Sequence, residues 1–176
     1  MVFVDATTPG QFAQIPTLVR GQQTVGTMLR IASILAPIGV PRLADLPAFF
    51  MGYEDARVVA EFPQMAAMRA LWASQHHLAA AAAEAALVAS TSSAQVGGAG
   101  SLRAMPVVVL TDGQGTVEGW AYAQAELTTL SSNSVQRIIP GVSHGAFTLD
   151  RQHIAVTVAA IREVVEAVRT GQMLAK

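Results

Sequence analysis

Residues 106–113 read Pro-Val-Val-Val-Leu-Thr-Asp-Gly, and this run decides the fold class. Four consecutive aliphatic residues, Val107–Leu110, are typical of a strand that is buried on both faces, as in a parallel sheet. The Asp112-Gly113 pair that follows predicts a turn at the carboxyl end of the strand. Because a strand of this kind needs a neighbour on each side, the rest of the chain is expected to supply two more strands.

Two further runs have the composition of strands. Val2–Val4 is a short β-branched and aromatic run that ends at Asp5, and Val135–Ile139, which reads Val-Gln-Arg-Ile-Ile, is predicted as a further strand. A helix is predicted over Gly119–Leu130, between the second strand and the third. Strands that alternate with helices predict right-handed crossovers, and therefore an α/β fold with three parallel strands flanked by helices.

The chain closes with an amphipathic helix that Asp150 is placed to cap. Its apolar residues recur at the spacing of a single helix face, and we expect that face to be buried against the sheet. These residues are Ile154, Val158, Ile161, Val165 and Val168.

The sequence between the first two strands is helical rather than extended. Residues 64–90 are so rich in alanine that a long helix is predicted. Residues 90–102 are rich in Ser, Gly and Thr, which is typical of a flexible loop. The expected division is therefore a sheet domain of residues 1–10 and 103–176, with an inserted helical subdomain of residues 11–102.

The composition excludes several classes of function. Hydrophobic residues make up 52% and charged residues 13% of the 176-residue chain, and its net charge of −1 comes without a basic stripe, which argues against nucleic acid as a partner. The absence of cysteine excludes disulfides, thiolate metal ligands and a cysteine nucleophile. There is no run of about 20 apolar residues and no signal-peptide pattern, so we expect a cytoplasmic protein with no membrane partner.

Three chemically useful side chains follow the predicted strands. Asp5 and Asp112 come at the ends of the first two, and His144 lies in the Pro-Gly-Val-Ser-His loop after the third. Sites in parallel sheets lie at the carboxyl ends of strands, and an acid beside a histidine forms two members of a nucleophile–His–acid triad. The alternatives are structural, because Asp is common in turns and caps and Asp-Gly is a common turn pair.

The order of these segments resembles the C-terminal part of the α/β-hydrolase fold family. Residues 2–9 resemble the sixth strand of that family and its following loop, residues 106–113 the seventh strand, and residues 137–144 the eighth strand with the histidine loop. The insert resembles the helical cap of the family, and residues 155–168 resemble its last helix. The resemblance implies a partial α/β-hydrolase sheet that carries three of its strands, in the order six, seven, eight.

The resemblance also implies roles for individual residues. His144 would be the general base, and the acid would be Asp5 by first choice and Asp112 by second, because the family's Gly-Asp-x-Asp pattern is lacking after the second strand. The implied substrate is a small apolar ester-type molecule, held in a pocket that Phe49, Phe50 and Met51 would line. No metal and no organic cofactor are implied.

The nucleophile elbow of the family, a Gly-x-Ser-x-Gly that precedes the acid and the histidine, does not occur ahead of Asp5 in the chain. We therefore expect it upstream of Met1, with this chain as a C-terminal fragment that has little or no activity alone. The alternative is a truncated or degenerate relative that binds a small apolar ligand or a partner protein. Residues 2–4 would expose an apolar strand edge, which predicts a dimer or other self-association. The aromatic side chains at Trp72, Trp120, Phe49 and Phe50 are expected to serve in packing.

Overall fold

A computed structural model describes residues 1–46, 64–114 and 117–175. The chain divides into two compact units, which are Met1–Pro16 with Ser93–Lys176, and Thr17–Ser92. We call the first the sheet unit and the second the helical unit. Their boundaries fall at 16/17 and 92/93, whereas the sequence analysis drew them at 10/11 and 102/103.

The sheet unit is built on three parallel strands. They are β1 (Val2–Val4), β2 (Val107–Asp112) and β3 (Ser134–Ile139), in the order β1-β2-β3. Val2 lies opposite Val108, and Val107 lies opposite Ser134. Residues 107–111 of the central strand are all fully buried. The predicted parallel α/β sheet is therefore confirmed.

Helices cover both faces of this sheet. One face packs Val108 and Leu110 against residues that follow β3, among them Phe147 and Val164. The opposite face packs Val107 and Val109 against Leu127. After β2 the chain forms α7 (Trp120–Ala125) and a 3₁₀ turn (Glu126–Leu130). After β3 it forms α8 (Ala146–Leu149) and α9 (Arg151–Thr170).

The predicted buried face of α9 is wrong. The residues of this helix that pack into the core are Ala160, Val164 and Ala167. The expected stripe is open to solvent at four positions, with exposed fractions of 38% at Val158, 48% at Ile161, 41% at Val165 and 64% at Val168. Helical spacing shows which residues share a face, but small alanine side chains let a different face approach the sheet closely.

The helical unit begins with the long helix α2 (Pro16–Leu35). A 3₁₀ turn (Ala36–Ile38), α3 (Val40–Leu43), α4 (Met65–Trp72) and α5 (Gln75–Leu87) follow. Its core joins Leu29 and Ala32 of α2 to Leu78 and Ala85 of α5. The single helix predicted for 64–90 is broken before α5, because Ser74 accepts a hydrogen bond from the backbone N–H of His77 (3.3 Å) and begins a new helix.

The flexible loop predicted for residues 90–102 is wrong over its first part. A π turn (Val88–Ser92) extends α5 and leads into α6 (Ser93–Gly97). The helix ends only where glycines recur, with Gly100 at φ +80°. The short helix α1 (Gln11–Gln14) belongs to the sheet unit. None of the helices in the described ranges combines the length and the apolar character needed to cross a membrane.

Candidate active site

Asp5 lies at the carboxyl end of β1, in a conformation that fixes its side chain. Its φ of +45° is left-handed, and its backbone N–H donates to the carbonyl of Leu110 (2.7 Å). Aspartate is among the few residues other than glycine that adopt this conformation readily. The Asp5 side chain is only 2% exposed, so its charge depends on hydrogen-bond partners within the protein.

Both carboxylate oxygens of Asp5 have such partners. The Oδ2 atom is 2.7 Å from Nδ1 of His144. The Oδ1 atom accepts a hydrogen bond from Nε1–H of Trp120 (2.7 Å) and another from the backbone N–H of Asp112 (3.1 Å). Three donors from three separate segments therefore hold one buried carboxylate against one imidazole.

The loop that carries His144 is attached to the turn that follows β2. The carbonyl of Val142 accepts hydrogen bonds from the N–H groups of Gly113 (3.2 Å) and Gln114 (3.3 Å). A Cβ atom on Gly113 would lie 2.3 Å from the carbonyl oxygen of Ile139, so only glycine permits this approach. The turn after β2 and the histidine loop after β3 are thus fitted to each other at the backbone.

Charge and burial shift the pKa of each member of the pair. Burial alone would raise the pKa of Asp5, but the hydrogen bonds from His144, Trp120 and Asp112 together outweigh it and hold that pKa below its usual value. The hydrogen bond to Asp5 raises the pKa of His144 above its usual value, against a smaller opposing effect of burial. The geometry therefore favours a charged carboxylate and stabilises an imidazolium beside it.

Asp112 is close to this pair but is not bonded to the imidazole. Burial raises its pKa, and the neighbouring charge of Asp5 raises it further, while His144 has an opposing effect. Its Oδ1 atom is buried without a hydrogen-bond partner in the described part of the chain. The structure thus places the first-choice acid, Asp5, on His144, whereas the second choice, Asp112, contributes its backbone N–H.

Trp120 is a site residue that the sequence did not reveal. It was expected to serve in packing, but its indole N–H donates to Asp5 from the first turn of α7. The nearest indication in the sequence is Gly119, which stands at the N-cap position of α7 and has a φ of +83°. The pocket residues expected at 49–51 lie outside the described residues.

Two of the remaining histidines, His77 and His153, contact other side chains outside this site. His153 is 2.8 Å from Oδ2 of Asp150, at the beginning of α9. His77 stacks on Trp72, with 5.1 Å between the ring centroids. Across the described ranges, no cluster of three or more His, Asp or Glu side chains could hold a metal ion.

The free atom of the pair is Nε2 of His144. The side chain is 74% exposed, and Asp5 is the only hydrogen-bond partner of its ring among the described residues. In a triad this nitrogen takes the proton of the nucleophile. The arrangement can therefore accept a proton from a group brought to it and stabilise the resulting imidazolium.

Two concave surfaces of the helical unit are large enough to hold a small molecule. One has a volume of about 400 Å³ and is lined by Val25, Leu29, Trp72, His77, Leu78, Ala81 and Glu84. The other has a volume of about 510 Å³ and lies between α2 and the end of α5, where Gln22, Arg30, Ala82 and Ser90 are among its residues. The first is the more apolar of the two, because most of its lining is aliphatic or aromatic.

Comparison with known proteins found no matching family model, no matching curated protein and no matching solved structure. The interpretation of the site therefore depends on the geometry of Asp5, His144 and the residues that hold them.

Proposed function

We propose that this chain supplies the general base and the orienting acid of a hydrolase that cleaves an ester or a similar bond. The observation that carries the proposal is the 2.7 Å contact between Nδ1 of the exposed His144 and Oδ2 of the buried Asp5. A histidine oriented through Nδ1 by a buried carboxylate, with Nε2 free, is the base–acid half of a nucleophile–His–acid triad.

In this reaction each residue has a definite task. His144 Nε2 takes the proton of the nucleophile as that atom attacks the acyl carbon, and then gives the proton to the departing alcohol. Asp5 holds the neutral imidazole in the tautomer that has its proton on Nδ1, and it stabilises the imidazolium that forms between these steps. Trp120 and the backbone N–H of Asp112 prevent the carboxylate from rotating away, because each occupies its second oxygen.

The resemblance to the α/β-hydrolase family supports the same proposal. Three parallel strands each end at or lead into a residue of the cluster, which is the arrangement that the family uses. In this proposal the nucleophile comes from outside the described residues, and the substrate is a small apolar ester. The helical unit would serve as the cap that selects the substrate.

The test is hydrolysis of p-nitrophenyl acetate and butyrate. The 176-residue chain is compared with a polypeptide extended upstream in the same reading frame, and His144→Ala and Asp5→Asn are made in both. His153→Ala is the matched control, because His153 makes a similar Nδ1–carboxylate contact with Asp150 outside the cluster.

We expect turnover by the extended polypeptide and a loss of about 10³-fold or more in kcat with His144→Ala. Asp5→Asn should lower kcat by a comparable factor while leaving KM nearly unchanged, since it acts through the imidazole. The proposal is wrong if the extended polypeptide is active and both variants keep full activity, or if His153→Ala is as damaging as His144→Ala.

A second candidate function is the binding of a small apolar ligand without catalysis. The observation that favours it is the 400 Å³ cavity of the helical unit, which lies within the size range of ligand pockets. Its walls are aliphatic side chains and the indole of Trp72, and among the described residues that line it His77 and Glu84 are the ionisable ones. This chemistry suits an uncharged apolar molecule.

Quenching of Trp72 fluorescence by an uncharged apolar probe such as N-phenyl-1-naphthylamine tests this candidate. The Trp120→Phe background leaves Trp72 as the sole indole. Ala81→Phe should fill the cavity and abolish the quenching, whereas Ala79→Phe, on the exposed side of α5, should not. Equal quenching in both variants would place the probe elsewhere.

A further inference from the structure

A groove runs between α2 and the end of α5, separate from the apolar cavity of about 400 Å³. A Cβ atom on Gly26 would lie 3.5 Å from the Cβ atom of Ala85, so the two helices approach each other closely at this point. The groove has a volume of about 510 Å³, which is within the size range of small-molecule pockets. We call it the α2–α5 groove, and its walls are formed by residues of the ranges 19–30 and 82–90.

The two walls of the α2–α5 groove differ in chemistry. The wall from α5 and the turn after it is apolar and has short side chains, because most of it is provided by Ala82, Ala85, Ala86 and Ala89. The wall from α2 is polar, and its side chains include those of Gln22, Gln23, Thr27 and Arg30. The lining residues of α2 recur at intervals of three and four positions, so they lie along one face of the helix. The groove is therefore suited to a molecule with an apolar body and a polar group.

The polar wall has N–H donors that no described protein atom accepts. Thr27 Oγ1 already donates to the carbonyl of Gln23 (2.9 Å), and Ser90 Oγ donates to a backbone carbonyl (3.4 Å). Within the described ranges, the side-chain N–H groups of Gln22, Gln23 and Arg30 have no protein acceptor. A guanidinium group has donors only, so the polar group of the ligand should bring acceptor oxygens.

The charge of the groove is positive. Arg30 is the one ionisable residue among its described lining residues, and it has no ion-pair partner in that part of the chain. The acidic residues described in the helical unit are Asp45 and Glu84. Asp45 is bound to Arg69, and Glu84 lines the separate apolar cavity. A ligand with a single negative charge would therefore complement the charge of the groove.

We propose that the α2–α5 groove binds a small carboxylate that has an apolar body. The carboxylate would pair with the Arg30 guanidinium, whose planar set of donors matches two carboxylate oxygens, and Gln22 and Gln23 provide further donors on the same wall. The apolar body would cover the alanines of the opposite wall and remove their surface from water. A phosphate group fits less well, because it brings about two negative charges where the groove has one positive charge.

Binding in this groove does not require catalysis by the sheet unit. Every residue that lines the groove belongs to the helical unit, whereas Asp5 and His144 belong to the sheet unit. An apolar carboxylate is also the class of product that hydrolysis of an apolar ester releases. Loss of the hydrolase activity would nevertheless leave the binding unchanged, and the two properties are measured separately.

The test is a two-dimensional ¹H–¹⁵N nuclear magnetic resonance titration of the full chain with octanoate. We expect saturable shifts at the backbone amides of Gly26, Thr27 and Ala86, with a dissociation constant below about 1 mM. Octanamide has the same length without the charge. It should bind about tenfold more weakly or worse, because it loses the charge-assisted pair with Arg30.

Two pairs of variants identify the groups that bind. Arg30→Gln should raise the dissociation constant of octanoate about tenfold, while Arg20→Gln, which removes the same charge from the same helix outside the groove, should not. Ala86→Phe should fill the groove and abolish the shifts. Ala80→Phe, at an exposed position of α5 outside the groove, is its control. Circular dichroism establishes that all four variants remain folded.

Several outcomes would overturn the proposal. One is the absence of saturable shifts at octanoate concentrations up to roughly 10 mM. Another is octanamide binding as tightly as octanoate, which would assign the groove to uncharged molecules. A third is an equal loss of affinity with Arg20→Gln and Arg30→Gln, which would indicate attraction to the general charge of α2. Shifts centred on Val25 and Ala81 would place the ligand in the separate apolar cavity and overturn the proposal as well.

Discussion

The carboxyl end of the sheet and the core of the helical unit hold their residues by different means. Around Asp5, two carboxylate oxygens have three hydrogen-bond donors, and the strand beside it is fully buried over residues 107–111. The main apolar cluster described in the helical unit joins two leucines and two alanines, with partly buried aliphatic side chains packed against them. It also leaves a cavity of about 400 Å³ next to its most buried leucine, Leu78.

In the sheet unit, hydrogen bonds fix the positions of individual side chains. In the helical unit, the sequence mainly ensures that apolar side chains are buried. Directional bonds from three donors define the place of the buried Asp5 carboxylate, because each alternative position would leave a buried polar group unpaired. Alanine-rich helices have good intrinsic propensity but few large side chains to interlock. We therefore expect substitutions in the sheet unit to be more damaging than similar ones in the helical unit.

The largest expected difference is between two buried leucines. Leu110→Ala should lower the free energy of unfolding by about 4 kcal/mol, since the residue is fully buried at the centre of the sheet. Leu78→Ala should cost only about 2 kcal/mol, because its side chain already borders a cavity and loses fewer contacts. Urea unfolding followed by circular dichroism measures both values.

Leu87→Ala is the control for this pair. Its side chain is 50% exposed, so the change should alter the free energy of unfolding by no more than about 0.5 kcal/mol. If Leu78→Ala costs as much as Leu110→Ala, the helical unit is as well packed as the sheet unit and the contrast does not hold.

A second pair compares glycines, with opposite signs expected. Gly113→Ala should destabilise the protein by about 2 kcal/mol, because the new methyl group would meet the backbone of Ile139 and Pro140 and push the histidine loop away. Gly21→Ala, inside α2 with nothing near its Cβ position, should stabilise it by about 0.5–1 kcal/mol. Thermal or urea unfolding reports both, and a neutral Gly113→Ala would show that the loop adjusts freely.

The same contrast explains how much of the molecule the sequence could predict. The three strands were predicted within one or two residues of their bounds, because the aliphatic run 107–110 is typical of a buried strand and 135–139 contains three β-branched residues. The pairing of Asp5 with His144 was expected from the rule that parallel strands end at one edge. Both inferences use local patterns that the fold does not override.

Other features depend on contacts that no local pattern encodes. The buried face of α9 was misassigned, because the helix carries apolar residues on two faces and the sheet packs on the one with Ala160 and Ala167. Trp120 meets Asp5 only after the chain has crossed from β1 to α7, a separation of 115 residues. The break before α5 depends on a single serine cap within alanine-rich sequence.

The charge pair at the site predicts a pH dependence of stability. Because the pKa of His144 is raised in the folded state, its contribution is complete below the unfolded value of about 6.5 and is lost as pH rises through the folded value. The lowered pKa of Asp5 gives a contribution that is present above about 3.9 and is lost as pH falls through the folded value. Since His144 is 74% exposed, solvent screening keeps its share below about 1 kcal/mol.

Nuclear magnetic resonance titration of the His144 ring measures this coupling directly. Asp5→Asn should lower the pKa of His144, since the hydrogen-bonded carboxylate is the main cause of its rise. Asp150→Asn, which leaves the Asp5 pair intact, should not change it. A His144 titration that is identical in wild type and Asp5→Asn would show that the two side chains are not paired in solution.

The smallest expected effects come from the caps of two helices, one in each unit. Ser74 accepts from the N–H of His77 at 3.3 Å, a long hydrogen bond, so Ser74→Ala should cost only about 0.5 kcal/mol. Asp150 accepts from the N–H of Gln152 at 2.8 Å and also contacts His153, so Asp150→Ala should cost more. A carboxylate at a helix N-terminus also interacts favourably with the helix dipole, which a serine hydroxyl does not. Hydrogen exchange at the first turns of α5 and α9 measures how much each substitution destabilises its helix start. A larger effect of Ser74→Ala than of Asp150→Ala would show that the more stable helix start lies in the helical unit.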